Sequence, residues 1–170
     1  MSGNQPDPKE DAKRLLAYLR ELKNDRGAMA DLRCALSSSP SKRARAWPRL
    51  ASVGGIGNAR IETVAGLFAY HPDETQTGNL GTTCHRLAAE NNSFDARFRR
   101  LLSCDRDEIC ERLRPVVLAA KAREIRVNYE ELFADLCYWG DRVKERWARE
   151  YWGATKAPEP APLAASEATP

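Results

Sequence analysis

Apolar residues return every three or four positions along most of this chain, and nowhere do they alternate for the length of a strand. That period puts them on one face of a helix and predicts an all-α fold. The second half is the most regular, with Phe94, Phe98, Leu101 and Leu102 at i, i+4, i+7 and i+8. The same stripe is written by Leu15, Leu16, Leu19 and Leu22, by Ile61, Val64, Leu67 and Phe68, and by Ile109, Leu113, Val116, Val117 and Ala120. Phe133, Leu136 and Trp139, then Val143, Trp147 and Tyr151, complete the set. Eight or nine helices follow, as two small helical bundles packed together. The expected organisation is a flexible N-terminus (1–6), an N-terminal helical domain (7–92), a C-terminal helical bundle (93–152) and a disordered Ala/Pro-rich tail (153–170).

Capping residues mark the boundaries. Asp7 with Pro8 starts the first helix, and Asp25 caps the second. Ser41 is expected to cap a short basic helix that ends near Trp47-Pro48, because a residue before Pro avoids helical geometry. Val53-Gly-Gly-Ile-Gly-Asn58 reads as a flexible connector, and Asp73 to Gly81 as a polar loop followed by a helix over Thr82 to Ala89. Ser93 and Asp105 are the next caps, and Asn128 with Glu131 suggests a capping box. Pro115 predicts a kink or short break. His71, before Pro72, is expected to meet the last carbonyls of its own helix.

Few chemistries are written here. No stretch approaches the roughly 18 apolar residues of a spanning helix, and the polar start lacks a signal-peptide core, which points to a cytoplasmic protein. The five cysteines include no C-x-x-C, so a disulfide framework or zinc ribbon is not expected. Cys84 and His85 are adjacent on a helix, about 100° apart, and do not converge on one ion. Val53-Gly-Gly-Ile-Gly lacks the Lys and the preceding strand of a phosphate loop. No catalytic residue, metal or cofactor is assigned, and the reading is not an enzyme.

Arginine is abundant, and its placement is uneven. Between Asp31 and Glu62 there is no acid, while Arg33, Lys42, Arg43, Arg45, Arg49 and Arg60 accumulate, in a chain of net charge +3. Such a stretch suits a polyanion. Arg97 and Arg100 share a helix face, Arg106 opens a helix, and Arg114, Lys121 and Arg142 follow. If about four of these neutralise single-strand phosphates, binding weakens roughly fifty-fold between about 50 and 200 mM salt. Trp47, beside the basic run, reads as a buried anchor, with base stacking as the alternative.

A set of short segments carries a family resemblance. In order they are Arg26-Gly-Ala-Met-Ala-Asp-Leu-Arg33, Trp47-Pro-Arg-Leu50, Leu67-Phe-Ala-Tyr-His-Pro72, Gly78-Asn-Leu-Gly81 and Phe98-Arg-Arg-Leu-Leu-Ser-Cys-Asp-Arg106. Leu113-Arg-Pro-Val-Val117, Val127-Asn-Tyr129, Asp135-Leu-Cys-Tyr-Trp139 and Val143-Lys-Glu-Arg-Trp-Ala-Arg-Glu-Tyr151 continue the series. Over about residues 10 to 152 the chain resembles the CasB family, the small subunit of the type I-E CRISPR surveillance complex, Cascade. The resemblance implies two small helical domains and no catalysis. It implies two copies packed head to tail against the backbone subunits that hold the guide RNA, with the large subunit nearby. It also implies a basic surface that steadies the R-loop, chiefly the displaced DNA strand, through phosphate contacts, while a separate helicase-nuclease cleaves.

By position, Arg60, Arg106, Arg114 and Arg142 match the family's basic residues, and Arg33 matches the first of a Leu-Arg-Arg step whose second is Cys34 here. Pro115 stands where some relatives continue a basic pair. The nucleic-acid-binding candidates are therefore Arg33, Lys42, Arg43, Arg45, Arg60, Arg97, Arg100, Arg106, Arg114, Lys121 and Arg142. A free-standing helical DNA-binding protein and a protein-only helical adaptor are the alternatives.

Overall fold

The computed structural model describes residues 6–153. The tail and the flexible N-terminus expected from sequence lie outside them, apart from Gly153 and Pro6. The described residues form ten α-helices joined by turns and short 3-10 segments. In order these are α1 (Pro8–Leu22), α2 (Arg26–Arg33), α3 (Pro40–Arg43), α4 (Trp47–Leu50), α5 (Ala59–Tyr70), α6 (Leu80–Ala88), α7 (Phe94–Ser103), α8 (Ile109–Ala122), α9 (Tyr129–Cys137) and α10 (Asp141–Ala148), with a π-helical turn over Arg149–Gly153. Two of them, α3 and α4, are single turns of four residues.

Helix α5 is central, packed by α1, α2, α8 and α9. Leu67 and Phe68 are fully buried in it, as are Val64 and Ala65. A second group forms around α6, which meets α7, α8, α10 and the π turn. One apolar core joins both groups, from Leu16 and Leu19 through Phe68 and Phe98 to Trp147. Gly81 brings two of these helices together. A Cβ there would fall on the Trp147 carbonyl oxygen, and within 2.8 Å of the Trp147 carbonyl carbon and Cα.

Several sequence expectations are corrected by this packing. Ser39, not Ser41, stands at the start of the basic turn, and Trp47-Pro48 opens α4 rather than ending a helix. The connector at 53–58 is a defined turn, with Gly54 (φ +69) and Gly57 (φ +76) in left-handed geometry that glycine adopts freely. Gly81 lies inside α6, which starts at Leu80, because Asn79 and Thr82 form a reciprocal capping box. Ser93 makes no side-chain cap, since its hydroxyl donates to Asn91 Oδ1 at 2.6 Å. Asn128 accepts from the Glu131 backbone N–H, but Glu131 pairs with Arg146 instead of closing the box.

Helix α8 runs unbroken through Pro115. Pro115 is exposed, while Leu113, Val116 and Val117 beside it are fully buried, so packing outweighs one missing donor. His71 is buried, and its Nε2 lies 2.7 Å from the carbonyl of Ile125, not against its own helix.

Candidate nucleic-acid interface

A helix cap at Asn58 and a side-chain-bonded turn at Asp105, which does not cap α8 as expected from sequence, hold the backbone of the two central arginines. Asn58 Oδ1 accepts from the backbone N–H groups of Arg60 (3.1 Å) and Ile61 (3.2 Å), which sets Arg60 in the first turn of α5. Asp105 Oδ1 accepts from Asp107 (2.9 Å) and Glu108 (3.1 Å), and this turn holds Arg106 just ahead of α8. Arg106 Nη2 then donates to the Trp139 carbonyl at 3.3 Å.

Arg60 and Arg106 line one cleft of about 570 Å³. Arg43 and Arg114 line the next, of about 470 Å³. Ala59, Asp107 and Cys110 border both, so the two form one groove along the starts of α5 and α8. Arg114 is the best-held of the four. Its Nη2 donates to the Tyr70 hydroxyl at 3.1 Å, and its guanidinium carbon sits 5.0 Å from the centre of the Tyr70 ring. Arg33 reaches the same end of α5, donating to the Ala69 carbonyl at 3.4 Å.

The other candidates lie elsewhere. Lys42 and Arg45 are exposed on and after α3, Arg97 and Arg100 are exposed on α7, Lys121 is exposed near the end of α8, and Arg142 is exposed at the start of α10. The Arg97 guanidinium lies 5.7 Å from the Phe94 ring centre.

A division of labour among the basic side chains emerges. Arg20 bridges Glu74 and Glu130, Arg49 meets Asp31, Arg99 meets Asp95, Arg123 meets Glu90, and Arg146 meets Glu131 and Asp135. Among the described residues, none of the eleven candidates comes within 4.0 Å of a carboxylate oxygen.

Sequence reasoning missed Tyr70, which lies 44 positions from the arginine it holds. It also missed that Glu62, Asp107 and Glu111 line the same groove. The Trp47 reading is corrected. The side chain is 38% exposed, with its indole directed to Glu62 at 3.4 Å, so it is not a buried anchor. Cys84 and His85 point apart. Cys84 is buried, which pushes its thiol well up, whereas His85 is exposed with Nδ1 2.9 Å from the Tyr151 carbonyl. Cys110, at the edge of the groove, is also pushed up by burial.

Comparison with known proteins places this architecture. The profile described as CRISPR-associated protein Cse2 matches residues 28–152. A CRISPR-associated protein Cse2 from Thermus thermophilus is 31% identical over 159 residues, covering 86% of this chain and 92% of that protein. The crystal structure of CasB from Thermus thermophilus superposes with a TM-score of 0.69 at 30% identity, covering 84% of this chain and 97% of the other. A chain of a CRISPR RNA-guided surveillance complex shares the fold at 20% identity, with a TM-score of 0.71 over 88% of this chain and 97% of its own. The chain belongs to the CRISPR-associated Cse2 (CasB) family.

Proposed function

We propose that this chain is a non-catalytic subunit of a type I-E Cascade surveillance complex in the cytoplasm. In this reading its groove holds the displaced DNA strand of the R-loop by phosphate contacts. Its partners are the backbone and large subunits, a second copy of itself, the guide RNA and the target DNA. The carrying observation is the set of eleven cationic side chains without carboxylate partners, four of which line one groove. Membership of the Cse2 family and the fold shared with a chain of a surveillance complex support the setting.

The chemistry fits the task. A displaced strand has to be held whatever its sequence, and guanidinium–phosphate contacts do this without reading bases. R-loop formation is close to balanced, so a few backbone contacts shift it.

The test is the lifetime of a target-DNA R-loop assembled with the remaining Cascade subunits and guide RNA, with and without this protein. A longer lifetime with it, shortened by Arg60→Ala/Arg106→Ala/Arg142→Ala while assembly stays intact, is the expected result. Assembly with no effect of the triple variant would leave the protein-only adaptor. Failure to associate, together with DNA binding by the protein alone, would favour the free-standing DNA-binding protein.

A further inference from the structure

The groove holding Arg43, Arg60, Arg106 and Arg114 is also lined by Glu62, Asp107 and Glu111. Four positive and three negative side chains therefore share one concave surface. They do not neutralise one another as ion pairs, because among the described residues no arginine of the groove lies within 4.0 Å of any of the three carboxylates. Asp107 is the most central, bordering both halves of the groove next to Arg106, and it is exposed. Glu111 follows one turn later on α8, also exposed, on the side of Arg114.

Asp107 and Glu111 stand just before and within the first turn of α8, where an acid favours the helix dipole, but the dipole asks only for negative charge and not for a place in the groove. Glu62 has a bonding partner of its own, accepting from the Trp47 indole in the first turn of α5. For Asp107 and Glu111 no side-chain hydrogen bond or ion pair occurs among the described residues. Both residues line the same space as the arginines, and a phosphate entering that space is attracted by one set and repelled by the other.

We propose that Asp107 and Glu111 are specificity-determining residues that act as an electrostatic brake. They keep the groove too weak to capture free nucleic acid, so that it retains only a strand already delivered to it. The inference rests on the groove being a phosphate-binding surface, as proposed above. It adds which residues limit that binding and why. A strand tethered within an assembly is presented at high effective concentration and tolerates a weak site, whereas stray polyanions do not reach that concentration. A groove of uncompensated arginines would hold both.

The experiment uses the full chain and a fluorescein-labelled poly(dT) oligonucleotide, read by anisotropy across a salt series, with melting temperatures checked in parallel. Three proteins are compared: the native chain, Asp107→Asn/Glu111→Gln and Arg60→Ala/Arg106→Ala. The brake predicts about tenfold tighter binding for Asp107→Asn/Glu111→Gln, with a steeper salt dependence and a melting temperature only slightly lowered by the loss of two acids at the start of α8. Unchanged or weaker binding by that variant, while Arg60→Ala/Arg106→Ala loses affinity, overturns the brake and leaves the groove standing. If the arginine variant binds as the native chain does, the groove reading itself is overturned, and the brake with it.

Discussion

The Trp147 indole Nε1 donates to Asp135 Oδ2 at 2.8 Å, while Arg146 Nη2 donates to the other oxygen at 2.9 Å. This carboxylate is 1% exposed and ties α10 to α9. Burial pushes its pKa up to about 6, against the pull of the indole and the guanidinium. A buried acid with two donors holds these helices in register, and it does so at a cost that depends on pH.

The sign of that dependence follows from linkage. Between about pH 4 and 6 the folded protein keeps a proton that the unfolded chain has released, so stability falls as pH rises through that window and levels off above it. The contribution is on the order of 3 kcal/mol. Asp135→Asn keeps an acceptor for the indole and removes the charge, so its stability should be flatter than the native profile from pH 4 to 7. Asp135→Ala leaves the indole donor buried without a partner and should cost about 1–3 kcal/mol. Urea unfolding at several pH values measures both.

Gly81→Ala tests the approach of α6 to α10. The added methyl meets the Trp147 main chain, which cannot swing away as a flexible side chain would. A loss of at least about 2 kcal/mol is expected, seen as a lowered urea midpoint. A neutral substitution would show that α10 shifts freely.

The groove makes a different kind of prediction. Arg60→Ala and Arg106→Ala each remove one cation without a carboxylate partner; the melting temperature should hardly move for Arg60→Ala and fall modestly for Arg106→Ala, which also loses the hydrogen bond to the Trp139 carbonyl. Each should lower the magnitude of the salt slope for single-stranded DNA by about 0.7. Arg20→Ala, which breaks the links to Glu74 and Glu130, should do the reverse: it should lower stability and leave the slope alone.

Tyr70 is expected to act only through Arg114. Tyr70→Leu removes both the hydroxyl acceptor and the ring beneath the guanidinium, whereas Tyr70→Phe keeps the ring. In a double-mutant cycle, Tyr70→Leu should weaken R-loop retention in the native background and have no further effect beside Arg114→Ala. An equal effect in both backgrounds would make Tyr70 a purely structural residue.

Much of this protein was determined by local order along the chain. Helical periodicity marked the stripes of α5, α7 and α8, because a 3.6-residue repeat has one buried face whatever it packs against. Asp7, Asp25 and Asn128 marked helix starts, because a cap bonds to backbone two or three residues away. The excess of basic residues between Asp31 and Glu62 was equally visible. Only the tertiary structure decided the rest. It carried α8 through Pro115, placed Gly81 inside a helix against Trp147, and turned His71 toward Ile125. It also sorted arginines into those paired with Glu74, Asp31 or Asp135 and those with no carboxylate partner among the described residues, and it set Asp107 and Glu111 in one groove with four of the latter. The pairs of Arg20, Arg49 and Arg146, from 11 to 110 positions apart, and the groove join residues of different segments, and their geometry depends on how the helices pack, which no local pattern encodes.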